Sequence, residues 1–414
     1  MSNQKQSFWR YENGILILLS LTYGLIFLDR FSITNLFPQI AGDLHLNNTQ
    51  LGLTMSVVAF AWGVSSFVFS YISDILGKKK LMLVVVVFAF SLSTFFSGLA
   101  ATFIGFLLAR ALLGIAEGPA VPLVQSTVMA ESTESRKGLN TGIPIATSAL
   151  LSAAAPLLLV WIAQVYGWRI SLYAITIPGI IIGFLLMKFM RESKVTNVSD
   201  QKKSKMSFAD IKMVLRTRNV WISMLVATLN VAGGIATLMT FAPLFLVNVG
   251  HLKQTQAAGI MTVYGLVSLI GNLYIPWLSD KIGRKKAFLL GSFMQFLIPM
   301  SLIAFHSNYT MLIVSIMVLC GGQATMGLCM FIIPGESVPK RLMTTASSLP
   351  NFVGEVIGGS IGGIVAGYLG DKFGLTAAMI FASVVLLGSF ILGLAYKESH
   401  AKFAKENLME DRAS

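Results

Sequence analysis

The sequence predicts an all-α membrane protein: twelve transmembrane helices in two pseudo-symmetric six-helix bundles. Three observations carry that expectation. The chain is 55% hydrophobic and only 12% charged, with a mean hydropathy of +0.74. Water is a poor solvent for that much apolar surface, so lipid must cover most of it. The apolar residues also fall into stretches of about 20, the length a helix needs to cross a hydrocarbon core. Finally, the chain repeats itself. Ser70 to Lys80 returns as Pro276 to Lys286, placing Asp74 and Asp280, and Gly77 and Gly283, 206 positions apart. Glu131 and Arg136 return as Glu336 and Arg341, 205 positions on. Two unrelated pairs at nearly one offset indicate a tandem duplication, each half with its own apolar helices.

Taken in order, the expected spans are 14–36, 51–76, 81–100, 103–130, 139–161 and 170–190, then 220–246, 257–279, 287–305, 309–333, 345–369 and 375–396. The first six form an N-terminal bundle over residues 1–190 and the second six a C-terminal bundle over 220–396. Residues 191–219, rich in Lys and Ser, read as a solvated, partly helical cytoplasmic linker, and 397–414 as a cytoplasmic tail. The first apolar run is long and no small-residue cleavage site follows it, so no cleavable signal peptide is expected.

Orientation follows from the cations. With the N-terminus inside, the inner segments hold 26 of the 31 Lys and Arg, whereas the outer loops hold Arg169, Lys253 and Lys372. That bias places both termini in the cytoplasm and the chain in the cell (inner) membrane. It also accounts for the formal charge of +13 without nucleic acid, since the cations form short clusters between apolar runs rather than one basic face.

Chemistry of other kinds finds little support. Cys320 and Cys329 lie in one expected helix, about 13 Å apart by helical rise, beyond disulfide reach. His45, His251, His306 and His400 fall in loops or the tail, and neither a metal-ligand cluster nor a nucleophile-plus-base signature is visible. An enzyme is therefore not expected, nor a metal or organic cofactor. A receptor of this architecture would need a large added cytoplasmic domain, for which no segment is long enough.

The repeated loops stand at cytoplasmic helix ends. Gly77 and Gly283 let the chain reverse within a few residues. Positive-inside anchoring explains the lysines, but not why an acid recurs at one place. Asp74 and Asp280, with Arg284, and the pairs Glu131/Arg136 and Glu336/Arg341, are candidates for a latch that holds one conformation and breaks in another.

Three acids, Asp29, Glu117 and Glu355, and two cations, Arg30 and Arg110, lie deep in apolar spans. Each must face a cavity or a partner, because an ionised group in hydrocarbon is costly. Some of them can instead form a structural ion-pair network. Arg110 and Glu117 are seven apart, nearly two turns, so they share a face about 10 Å apart, too distant to pair directly. Gly118, Pro119 and Pro122 disturb the helix beside the acid. Asp29 and Arg30 are adjacent and point about 100° apart. A carboxyl that water reaches intermittently can carry a proton, and a guanidinium offers a carboxylate a two-bond fork. In span eleven Asn351 and Glu355 share a face near Gly358 and Gly359, whose small size permits close packing or bending. Glu355 can hold a second proton or contact substrate. Gln125, Asn230 and Gln323 are weaker substrate candidates, since a buried amide also serves to bridge helices.

The loops at Asp74–Lys80 and Asp280–Lys286 resemble the signature loop of the major facilitator superfamily, G-x-L-a-D-r-x-G-r-k, with Ser70 and Pro276 in place of its first glycine. Leu28-Asp29-Arg30 in span one, with Arg110 and Glu117 in span four, resembles its anion:cation symporter branch, which includes proton-coupled sugar-acid transporters. That resemblance implies proton roles for Asp29 and Glu117 and an anion role for Arg30; Phe27 stands where the branch often has Tyr. The expected function is then secondary active transport. A small organic anion, such as a sugar acid or other carboxylate, would enter with protons by alternating access, bound near the bilayer midplane between the two halves. The expected working unit is a monomer. The alternative is a proton-driven exporter of a drug or metabolite. Many exporters of the superfamily carry a G-x-x-x-G-P run in span five, where this chain reads Ala153-Ala154-Ala155-Pro156-Leu157.

Overall fold

The computed structural model describes residues 11–76, 78–133, 136–191, 208–339 and 342–399. Among the described residues there is no strand. Eleven helices are long and apolar enough to cross a membrane, and the remaining apolar stretch is covered by a 29-residue helix, α2. The chain begins with α1 (Tyr11–Asp43), α2 (Asn48–Leu76) and α3 (Lys79–Leu99). The fourth stretch is broken into α4 (Phe103–Glu117) and α5 (Ala120–Glu131), and α6 (Lys137–Tyr166) and α7 (Trp168–Phe189) follow. The break falls at Gly118-Pro119: proline has no N–H for the carbonyl four residues back, and its ring crowds that carbonyl.

Within the stretch 191–219 read as a linker, α8 (Phe208–Arg216) is a short amphipathic helix. The seventh stretch is α9 (Arg218–Asn230), a π-helical turn (Val231–Met239) and α10 (Thr240–Asn248). Next come α11 (Gln254–Ile282) and α12 (Arg284–Phe305). The tenth stretch is the most irregular. It runs α13 (Tyr309–Leu319), a 3-10 turn (Cys320–Ala324), α14 (Thr325–Gly327), a π turn (Leu328–Ile332) and α15 (Ile333–Glu336). The eleventh is α16 (Met343–Val353), a π turn (Gly354–Gly359) and α17 (Ser360–Phe373), and α18 (Leu375–Gly393) closes the series.

Contacts divide the chain into two compact units, one of residues 1–36 and 61–202, the other of 37–60 and 203–414. In the first, α3 packs along α7 and α4. Gly179 and Gly183 of α7 lie against Ser91 and Phe88 of α3, where any side chain would collide. Small residues let helices approach where lipid supplies no hydrophobic drive to associate. In the second unit α12 packs along α18 and α11 against the 3-10 turn. Glycines recur at close approaches within this unit: Gly271 meets Gly321, Gly358 meets the backbone of Thr228, and Gly363 meets Gly52. The start of α2 is held in this unit by Asp371, whose carboxylate accepts from the Asn48 N–H at 2.7 Å and the Thr49 N–H at 2.9 Å. An acid at a helix N-terminus satisfies otherwise unpaired donors and opposes the positive end of the helix dipole.

Candidate functional site

The first unit concentrates charge at one place. α1 presents Asp29, fully buried. The Thr94 hydroxyl of α3 donates to Asp29 Oδ2, and Nη1 of Arg110, on α4, donates to Asp29 Oδ1 at 3.3 Å. Arg110 is itself buried, with its guanidinium carbon 5.7 Å from the centre of the Phe106 ring. Its Nε and Nη2 meet no acceptor among the described residues. One edge of the guanidinium thus holds Asp29, and the edge that forms a two-bond fork has donors to spare. Arg30, next to Asp29, turns to α2, with its guanidinium carbon 5.0 Å from the centre of the Trp62 ring.

Glu117, at the end of α4, is fully buried, and neither of its carboxyl oxygens meets a hydrogen-bond donor among the described residues. Asp29, Arg30 and Arg110 are its charged neighbours within electrostatic reach. The helix break explains the placement. Gly118 sits so close to the Trp62 carbonyl and Ser65 of α2 that no side chain fits, which draws the end of α4 against α2. The Ser65 hydroxyl donates to the Gly114 carbonyl at 3.2 Å across the same contact. The structure therefore brings Asp29, Arg30, Arg110 and Glu117 together in one unit, with Thr94 and Trp62, which the sequence reading did not single out. A threonine or tryptophan inside an apolar run carries no signal of its own; a charge does. Gln125 is half-buried and lies in hydrogen-bonding reach of Tyr23 on α1.

The other candidates belong to the second unit. Asn230 is fully buried and bridges helices: its Nδ2 donates to the Val226 carbonyl at 3.0 Å and to the Ser389 hydroxyl of α18 at 2.6 Å. Gln323 stands in the 3-10 turn, half-buried, and Asn351 is half-buried on α16. Glu355 is buried in the π turn of the eleventh stretch, the location of its glycines Gly354, Gly358 and Gly359.

The latch residues separate. Gly283 has φ of +95°, a left-handed conformation that glycine adopts without strain, and it turns α11 into α12. Arg284 then gathers acids. Its Nη1 lies 2.5 Å from Asp280 Oδ1, and its Nη2 and Nε reach Glu336 at 2.8 and 3.1 Å. In the first unit Arg136 does not meet Glu131. It donates to Asn13 Oδ1 at 2.9 Å and faces Glu12 at 3.9 Å, while Glu131 lines a small recess beside Glu12. Gly77, Arg341 and the side chain of Asp74 lie outside the described residues.

Fold and charge cluster together define a class: polytopic helical proteins with acids and arginines buried in apolar helices. The family model of the Major Facilitator Superfamily matches residues 19–363, and the chain belongs to that superfamily. It is 24% identical over 421 residues, covering 98% of this chain and 93% of the relative, to a probable 4-methylmuconolactone transporter of Cupriavidus pinatubonensis. It is 21% identical to the D-galactonate transporter of Escherichia coli, covering 90% of this chain and 92% of the relative. Among solved structures, a bacterial homologue of the human lysosomal transporter Spinster superposes with a TM-score of 0.79 at 18% identity, covering 93% of this chain and 96% of that one. These homologues and this fold are those of transporters, not enzymes.

Proposed function

We propose that the protein is a secondary active transporter that carries a small organic anion, such as a sugar acid, inward together with protons. It would work as a monomer in the cell membrane with both termini cytoplasmic. The relatives named for galactonate and methylmuconolactone support the substrate class. The observation that carries the coupling is the contrast between two buried acids. Asp29 has two donors, one of them charged, whereas Glu117 has none among the described residues.

A buried ionised carboxylate without donors is costly, and a protonated one is tolerable. Glu117 is therefore the proton carrier in this reading, and Asp29 the fixed counter-charge of Arg110. Charge counting then links proton and anion. Two ionised acids and two arginines sum to zero. A proton on Glu117 leaves the cluster at +1, and an anion held by Arg30 and the spare edge of Arg110 restores neutrality. Each ligand favours the other, and that mutual dependence is what symport requires.

The variant Glu117→Gln tests it. The amide mimics the protonated acid permanently. The expected outcome in proteoliposomes is retained exchange of preloaded D-galactonate, or of whichever organic acid the wild type carries, with loss of accumulation driven by a proton gradient. Gradient-driven accumulation at the wild-type level in this variant would remove Glu117 from coupling.

A further inference from the structure

The second unit contains a seam between distant parts of the chain. Residues 37–60 come from the N-terminal half, yet they pack in one compact unit with 203–414. α1 and α2 each run unbroken through the boundary of that unit, which falls after Leu36 and after Phe60. Only the end of α1 and the start of α2 belong to it.

Backbone forms most of this seam. Gly359, Gly363 and Gly367 recur every four residues and so share one face. A Cβ at Gly359 would collide with Ala59, at Gly363 with Ser56 and Gly52, and at Gly367 with Asn48 and Thr49. Gly52 answers from α2, where a Cβ would strike the Gly363 carbonyl. Glycine faces pack closely without interlocking large side chains, so they can part without repacking a core. Ser56 is buried in the seam, and its hydroxyl meets no acceptor among the described residues. A buried donor left unpaired weakens the closed form and gains water in an open one.

Polar bonds gather at one end. The Asp371 carboxylate, on α17, accepts from the Asn48 N–H at 2.7 Å, the Thr49 N–H at 2.9 Å and the Thr49 hydroxyl. Asp371 is exposed, so this end of the seam meets solvent. The Gln39 Nε2, near the end of α1, donates to Gln254 Oε1 at the start of α11 at 2.9 Å. Helix packing accounts for the glycines. It does not account for a carboxylate that spends both oxygens on the start of a helix from the other half of the chain.

We propose that this seam is the outer gate of the carrier and that Asp371 is its releasable fastener, which holds the start of α2 against α17 while that side is shut. The role rests on the transporter reading above. With the N-terminus cytoplasmic, the end of α1, the start of α2 and the end of α17 lie on the outer side, opposite the Arg284 latch. Entry of substrate from outside then requires residues 37–60 to leave α17. The bonds to Asp371 break in that step, and water takes over the N–H groups of α2 and the Ser56 hydroxyl. Removing the carboxylate favours the open form by about tenfold.

The test uses the full chain in intact cells. Ser56→Cys, nearly the same size, is placed in a background with Cys320 and Cys329 replaced by serine, and its rate of labelling by a membrane-impermeant maleimide is measured. Asp371→Ala is expected to raise that rate about tenfold, and Asp371→Asn by less, because the amide oxygen still accepts. A companion chain keeps Ser56 and the buried Cys329 and reports unfolding. Cys329 is expected to stay unlabelled with Asp371→Ala. An unchanged Ser56→Cys rate overturns the proposal. Labelling of Cys329 as well would make Asp371 a support of the fold rather than of a gate, and labelling of Ser56→Cys only after the membrane is opened would put the seam on the other face; each also overturns it. None of these readings depends on a substrate, so the organic-anion reading stands or falls separately, on uptake.

Discussion

Removing one partner of the Asp29–Arg110 pair strands the other charge in a buried place, and that fact governs how the site can be dissected. Both side chains are essentially inaccessible to solvent. Breaking such a pair from one side costs about 3 kcal/mol or more, whereas replacing both partners with neutral groups costs far less. Asp29→Asn and Arg110→Gln are each expected to lower the melting temperature of the purified protein, and the double variant to melt above either single one. A double variant as unstable as the sum of the singles would mean that the two side chains act independently. The same logic makes Asp29→Asn a poor probe of proton coupling, because lost transport would mix an uncoupled carrier with a destabilised one. Glu117, which meets no donor among the described residues, gives the cleaner experiment. These four charged residues were legible in the sequence because a charge inside an apolar run is conspicuous. Their pairing was not. Spacing along α4 excludes contact between Arg110 and Glu117, but nothing in it indicates that Arg110 crosses to α1.

The span-sized stretches were legible as well, since hydrocarbon thickness sets their length. Their ends were not: α1 continues to Asp43, and α11 starts at Gln254. Backbone hydrogen bonding carries a helix beyond its apolar run into polar residues, where hydropathy has no signal. The π and 3-10 turns were also unannounced, although each contains a glycine pair, Gly233-Gly234, Gly321-Gly322 or Gly358-Gly359, or lies a few residues beyond one. At the turn after α11, where the sequence marks latch candidates, the structure shows a helix cap. The Glu398 carboxylate, from beyond α18, accepts from the Arg284 and Lys285 N–H groups at 2.8 and 3.1 Å, closing the first turn of α12. A carboxylate at a helix start satisfies unpaired donors and the dipole together, worth about 1 kcal/mol. Glu398→Ala is expected to lower the melting temperature modestly, and Glu398→Gln by less, because the amide oxygen still accepts. Equal melting of Glu398→Ala and wild type would show that water caps α12 as well.

At the scale of the whole chain the 206-position spacing reaches further than the repeated motifs. Within the first unit the Arg191 N–H, just past α7, donates to the Tyr11 hydroxyl at 2.8 Å, tying the end of the sixth span to the start of the first. Within the second the Lys397 N–H, just past α18, donates to Asn219 Oδ1 at 3.0 Å, tying the twelfth to the seventh. Arg191 and Lys397 stand 206 positions apart, the spacing of Asp74 and Asp280, yet their partners differ in kind, so an inspection for repeated residue types passes over them. What recurs is the need to bond a free backbone donor at a helix end. The charges around these ends bear on topology. Lys and Arg crowd the segments read as cytoplasmic, and the cost of moving them across a bilayer sets orientation. Single cysteines can read this directly in a background with Cys320 and Cys329 replaced by serine. Ser307, between α12 and α13, and Lys286, at the start of α12, are both exposed. In intact cells a membrane-impermeant maleimide is expected to label Ser307→Cys and to spare Lys286→Cys until the membrane is opened. Because α12 is one uninterrupted helix between the two positions, the reverse pattern would invert it, and with it the cytoplasmic placement of the latch around Arg284.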